Sequence, residues 1–311
     1  MSTLHDAPRL IVSSPYRTFF GLCAIAVLIW WKPLAATTTL ALNDDAYTYI
    51  LLVLPVSVSL LASEWRSNRW VTNPSAGLGC SCLAIAVLIG LGVRVLGGPT
   101  VLPGDLRLSL EMLAVVIWWA GSFICCFGKL SFYKSLFPWL FLIWLIPVPK
   151  AVMNGFVELL QNGTAAFARL LFVVANVPVA QDDTVLSIPG VTVRVAEECS
   201  SVRSSMMLLV SMTLMSYLFL RSYWGRTTVM MAAIPVAIAK NGFRVFTLAL
   251  LGGYVDRGFL TGRLHHQGGI LFFAVSMLGA VLVIWVARLI EYHILGSEGH
   301  VPKSLPAGNV G

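Results

Sequence analysis

The sequence predicts an all-α polytopic membrane protein with about eight transmembrane helices and a short extracytoplasmic β-hairpin ahead of the sixth. Three observations predict it. The 311 residues are 58% hydrophobic and only 11% charged, with a mean hydropathy of +0.83, whereas soluble domains carry about 25% charged residues. Apolar stretches of about 18 or more residues recur along the chain, the length a helix needs to cross a bilayer. A further stretch, 184–195, alternates apolar and polar residues around Pro189-Gly190, the pattern of a hairpin. An ordinary soluble domain and a disordered chain are both excluded.

The spans fall at roughly 18–36, 46–63, 76–96, 109–127, 132–148, 202–220, 228–251 and 268–289. The apolar run that follows Arg17 has two readings: a signal-peptide core ahead of the small residues at Leu34-Ala35-Ala36, or a retained helix. The retained helix is expected, with Trp30 and Trp31 in an interfacial aromatic belt. The longest stretch without a predicted span is 149–201. Its first part, 151–177, is apolar and helical, interrupted by Gly155 and Gly163, and is expected to lie in the interface or re-enter. The hairpin follows and leads into Glu197-Glu198-Cys199-Ser200-Ser201 at the head of the sixth span. The expected organisation is one domain over 1–296 and a disordered Pro- and Gly-bearing tail over 297–311.

A net charge of +7 and a pI near 9.3 raise the possibility of nucleic acid. The cations are dispersed in short loops with no clustered basic stripe, so no nucleic-acid partner is expected. With the N-terminus inside, one set of loops holds Arg9, Arg17, Arg66, Arg69, Lys129, Lys134, Arg221, Arg226, Arg288 and Lys303 against only Asp6, Glu64, Glu291 and Glu298. The opposite set holds eleven cations but ten acids. The first set has the greater basic excess and is expected to be cytoplasmic, with both termini. Of six cysteines, Cys23, Cys80, Cys82, Cys125 and Cys126 lie in apolar runs, where a thiol is a small hydrophobe. Nothing resembles a disulfide framework or a zinc ligand set, and no cofactor or metal is expected.

Polar and ionisable groups at membrane depth are costly, so each carries a functional hypothesis. Three blocks stand at the outer ends of the last three spans: Glu198-Cys199-Ser200-Ser201-Val202-Arg203-Ser204-Ser205, Lys240-Asn241-Gly242-Phe243-Arg244, and His265-His266-Gln267-Gly268-Gly269. They supply a thiol, a guanidinium and an imidazole from three helices. Unpaired N–H groups at a helix N-terminus favour a thiolate at Cys199. Glu197 and Glu198 oppose it, and Arg203 and Arg244 offset them. A histidine takes the thiol proton and returns it to a leaving amine, while an arginine donates to the oxyanion of a tetrahedral intermediate. Taken singly, each block has a structural reading: a helix-end cysteine, a polar loop, or Asn241 and Arg244 as interhelical glue.

Together the blocks resemble the exosortase/archaeosortase family of integral-membrane cysteine transpeptidases. That family shows a Cys-Ser-Gly-x-Arg-Ser-like block, an Asn-x-x-Arg block and a His-x-x-x-Gly block, each at a late membrane helix. The run Leu142-Ile143-Trp144-Leu145-Ile146-Pro147-Val148-Pro149 also resembles the family's Ile-Pro-x-Pro segment, so the resemblance spans roughly 130–275. It implies Cys199 as nucleophile, Arg244 as transition-state stabiliser and His265 as acid/base, supported by Arg203, Asn241, His266 and Glu198. Gly269 stands four after His265, which favours His265 over His266. Ser201 replaces the usual Gly, and the aromatic that often follows the family's Gly is missing.

The resemblance further implies cleavage of a C-terminal, PEP-CTERM-like sorting signal on exported, membrane-anchored proteins, at the outer face of the inner membrane and alongside exopolysaccharide production. The acceptor, water or amine, and the oligomeric state stay open. Two other classes compete. Prenyl-dependent CAAX proteases carry Glu-Glu-x-x-x-Arg, but here Val202 holds the arginine's place and Arg203 falls one later. A transporter or scaffold of polysaccharide export would line a path with Lys240, Asn241 and Arg244, and no inverted repeat supports it.

Overall fold

The computed structural model describes residues 15–67, 73–96, 101–195, 202–256 and 263–298. Its helices are α1 (Pro15–Ile29), α2 (Trp31–Asn43), α3 (Ile50–Ser67), α4 (Ala76–Leu96), α5 (Gly104–Lys134), α6 (Leu136–Phe141), α7 (Lys150–Val174), α8 (Val202–Phe219), α9 (Tyr223–Tyr254) and α10 (Arg263–Glu298), with strands β1 (Ala180–Asp182), β2 (Val185–Ile188) and β3 (Val191–Arg194) between α7 and α8. Among the described residues seven helices are long and apolar enough to cross a membrane, or eight if α1 and α2 count as one bent span. The chain divides into two compact units, Met1–Asn154 and Gly155–Gly311.

In the first unit, α1 and α2 are bent by 75° at Trp30. Pro33 has no N–H to offer the Ile29 carbonyl, so the helical ladder is interrupted there. Arg94 of α4 supplies the missing donor, its Nη2 lying 3.1 Å from the Ile29 oxygen. The two tryptophans at the bend part company. Trp30 is buried edge-on to Trp118, with ring centroids 5.6 Å apart, while Trp31 is exposed. The Trp30 ring fills the space left beside Gly90. α5 is the unit's central post. It turns at Gly128, whose φ of +83° favours glycine and where a Cβ would strike the Asn73 carbonyl oxygen.

The expected helix over 132–148 is replaced by something shorter. α6 passes into a single 3₁₀ turn, Leu142–Leu145, and Pro147 and Pro149 then hold the chain extended. This segment returns along α5: Trp139 packs on Phe123 and Phe132, Ser109 Oγ donates to the Pro147 carbonyl at 2.6 Å, and the Lys150 N–H donates to Asp105 Oδ2 at 2.7 Å. The expected interfacial or re-entrant segment at 151–177 is also corrected. It is α7, a continuous helix of 25 residues that is apolar enough to cross. Gly163 does not break it. A Cβ there would lie 2.7 Å from Ile238 Cδ1, so the glycine lets α7 approach α9 closely.

The second unit buries Leu160, Leu208, Met212, Val229, Ala233, Ala237, Ala280 and Ile284 between α7, α8, α9 and α10. Small residues spaced along α9 allow this approach, as in membrane helix pairs generally. At the turn from α8 to α9, the Glu291 carboxylate accepts the Arg221 N–H at 3.1 Å and the Ser222 N–H, and Ser222 Oγ caps α9 at Gly225. The expected hairpin is present: β2 and β3 pair antiparallel, Leu186 opposite Val193, around Gly190 at φ +85°. β1 adds a third strand that the alternation pattern did not reveal, in the order β1-β2-β3. Leu186, Ile188, Val191 and Val195 share a core with Phe172, Val245 and Ala249, so the sheet sits at the C-terminal end of α9.

Candidate active site

The thiol, guanidinium and imidazole blocks all belong to the second unit, whereas the 142–149 run belongs to the first. α8 begins at Val202. Glu198 and Cys199, the expected nucleophile, lie in 196–201, outside the described residues. Arg203 is exposed on the first turn of α8, and Ser204 and Ser205 follow it inward, Ser205 fully buried.

α9 carries the second block, and its burial pattern explains why polar groups end up inside. Val229, Ala233, Ala237, Lys240, Arg244 and Leu248 are all buried along one stripe at three- and four-residue spacing. The stripe begins small or apolar; Lys240 and Arg244 follow, only 6% and 7% exposed, with Asn241 beside them at 0%, and Leu248 comes after them. Lys240 Nζ donates to Ser204 Oγ and so ties α9 to the first turns of α8. On the other side, Gly242 is a contact point for α7. A Cβ there would lie 2.7 Å from Phe167 Cδ1 and 3.2 Å from the Ala168 nitrogen.

The third block opens α10, which starts at Arg263 and so includes His265, His266, Gly268 and Gly269. At these positions the backbone is described and the side chains are not. Phe272 of α10 meets Phe243 of α9 with centroids 6.5 Å apart. His265 precedes Phe272 by seven residues, about 10 Å along the helix, toward the end of the bundle where α9 finishes and the sheet packs. The start of α8, the upper third of α9 and the start of α10 therefore occupy one end of a single packed bundle.

The structure thus joins Lys240 to Ser204, with Asn241 and Arg244 next to Lys240 along α9, and it packs the helix bearing His265 and His266 against α9. Sequence reasoning named Lys240 within its block but gave it no place in the expected site. Its spacing of four from Arg244, on the stripe set by Ala233 and Ala237, was the signal available. No three His, Cys, Asp or Glu side chains cluster as a metal site would require, among the described residues.

The family model for transmembrane exosortases matches residues 30–282, most of the chain. The chain belongs to the transmembrane exosortase family. No curated protein and no solved structure is similar enough to match it. The matched range of this exosortase-family chain covers α2 to α9 and the first part of α10. It therefore includes most of the first unit, where, the 142–149 run aside, the sequence motifs carry little specific signal.

Proposed function

We propose that this exosortase-family protein is a membrane-embedded cysteine endopeptidase or transpeptidase. Its substrates would be membrane-anchored exported proteins bearing a C-terminal, PEP-CTERM-like sorting signal, and cleavage would take place at the outer face of the inner membrane. The observation that carries the reading is the confinement of buried Arg244, Asn241 and Lys240, the first turns of α8 and the first turns of α10 to one end of one helical bundle. In an apolar bundle such polar groups are expensive, and their grouping at a single place argues for a shared task.

In this mechanism the Cys199 thiol gives its proton to His265 and attacks the scissile carbonyl carbon. A C–S bond forms, and the carbonyl electron pair moves to oxygen. The Arg244 guanidinium donates to that oxyanion, a contribution of about 2.7–4 kcal/mol per donor in enzymes where it has been removed. The intermediate collapses with loss of the C–N bond, and His265 returns the proton to the leaving amine. Water or an amine then resolves the thioester. Asn241, one turn before Arg244, and Arg203 would support the guanidinium and the thiolate. A substrate anchored in the same bilayer meets the site at fixed depth, so the membrane itself supplies part of the positioning.

Co-expression with a protein bearing a candidate sorting signal, followed by mass spectrometry of the new C-terminus, tests the proposal. Wild type is expected to shorten the substrate, and neither Cys199→Ala nor Cys199→Ser should do so. Unchanged processing by Cys199→Ala would end the thiol mechanism. A Cys199→Ser protein with full function would instead favour a transporter, for which the near-isosteric change is harmless.

A further inference from the structure

In the first unit, α1 and α3 are clasped at one end by two aromatic residues. Trp65 Nε1 donates to the Tyr16 hydroxyl at 3.2 Å, and the two rings meet edge-on with centroids 6.0 Å apart. Beside this clasp lies a cavity of about 380 Å³, enclosed by α1, α3, α5 and the α6 segment. Small-molecule sites generally fall in the range of about 300–1,000 Å³. Its floor is buried Phe123, Phe127 and Trp139, while Phe20, Leu54 and Val58 on its walls are exposed. The cavity therefore opens sideways, between two helices, to the hydrocarbon around the bundle. Its surface is almost wholly apolar, so water gains no partners there. Along α3 it runs from Trp65 back to Leu54, eleven residues or about 16 Å. That is close to half of the ~30 Å hydrocarbon core of a bilayer, the reach of one acyl chain in one leaflet.

We propose that this cavity is a binding site for an anionic phospholipid, which inserts one acyl chain between α1 and α3 and holds its phosphate beside Arg17 and Arg66. The apolar lining and the length select the chain; the charge at the clasp selects the headgroup. Arg17 directly follows Tyr16 and Arg66 directly follows Trp65, and both are exposed. Neither makes an ion pair among the described residues. Lys129, two residues after Phe127 of the floor, is exposed at the same end of α5. The acid next to the clasp is Glu64, so the described cations outnumber it. The neighbouring stretches 1–14 and 68–72, outside the described residues, add Arg9 and Arg69 against Asp6, which leaves the excess positive. Tyr16 and Trp65 are the amphipathic rings that mark headgroup level in membrane proteins. Basic pockets between membrane helices favour anionic headgroups over zwitterionic ones in this way.

Purified full-length protein is incubated with phosphatidylglycerol or with phosphatidylcholine of the same acyl chains, and retained lipid is counted by native mass spectrometry. Wild type should hold one molecule of phosphatidylglycerol, on the order of tenfold more tightly than phosphatidylcholine. Ala62→Phe, which fills the cavity, and Val58→Trp, which blocks its mouth, should both lose the bound lipid. Val58 is exposed, so the larger ring there overpacks nothing, and this variant decides the matter if Ala62→Phe does not fold. Arg17→Gln combined with Arg66→Gln should keep a lipid but hold the two kinds equally. The proposal is overturned if wild type does not distinguish the two lipids, or if Val58→Trp retains phosphatidylglycerol as well as wild type does. It is also overturned if only protein lacking residues 2–12 takes up lipid, because the cavity would then hold the chain's own N-terminal segment.

Discussion

Replacing Gly242 with alanine sets two effects of opposite sign against each other, and the structure decides between them. Within a helix, alanine is favoured over glycine by about 0.8–1 kcal/mol. At Gly242, however, the added methyl would lie 2.7 Å from Phe167 Cδ1 and 3.2 Å from the Ala168 nitrogen. The phenylalanine ring can turn aside, but the nitrogen belongs to the α7 backbone, so the two helices must separate by a few tenths of an ångström. Overpacking of this kind costs about 1–3 kcal/mol. The net result is destabilisation of about 1 kcal/mol. Gly155 of α7 provides the control, since nothing lies within 4 Å of a Cβ there. Gly155→Ala should therefore gain about 0.8–1 kcal/mol from propensity alone. Thermal unfolding of both variants in one detergent reads the contrast: Gly155→Ala should melt above wild type and Gly242→Ala below it, by about 2–4 °C each. Gly242→Ala should also process substrate more slowly, because it displaces the turn that carries Arg244. A Gly242→Ala protein as stable as wild type, or both variants shifting in the same direction, would refute the packing argument.

Other predictions follow from single contacts. Removing the Arg94 side chain leaves the Ile29 carbonyl at the α1–α2 bend without its donor, and Arg94→Ala should lose about 1 kcal/mol in chemical unfolding. Glu291→Ala strips the acceptor from the Arg221 and Ser222 N–H groups at the start of α9, so its melting temperature should fall, with a cost of about 1–3 kcal/mol. Glu291→Gln keeps an acceptor oxygen and should fall between Glu291→Ala and wild type. Membrane-impermeant thiol labelling of a variant whose sole cysteine is Cys199 should modify it from the outer face of intact cells. Labelling only after permeabilisation would place the site on the cytoplasmic side.

Much of this fold is legible in the sequence because hydropathy is a local property. The stretches that became α3, α4, α5, α8, α9 and α10 announce themselves by length and apolarity, and Pro189-Gly190 marks the hairpin. What could not be read depends on partners remote in the chain. The α1–α2 bend needs Pro33 to free a carbonyl and Arg94, far downstream, to satisfy it. The 132–148 run is apolar enough for a span, yet its prolines and its contacts along α5 favour a short helix, a 3₁₀ turn and an extended exit. Gly155 and Gly163 were weighed as helix breakers, but an uninterrupted α7 uses Gly163 for close packing. β1 is short and exposed, so it leaves no alternation to detect. In the candidate site the three motif blocks could be read directly. The link from Lys240 to Ser204 could not, because it joins two helices whose register only the folded bundle sets.

The sulfur of Cys199 is where the account can be tested most directly. Wild-type protein mixed with a processed reporter and quenched rapidly in acid should show, by mass spectrometry, the reporter's upstream fragment attached to Cys199 through a bond that hydroxylamine releases. Recovery of the shortened reporter while Cys199 remains a fully alkylatable thiol throughout turnover would contradict it.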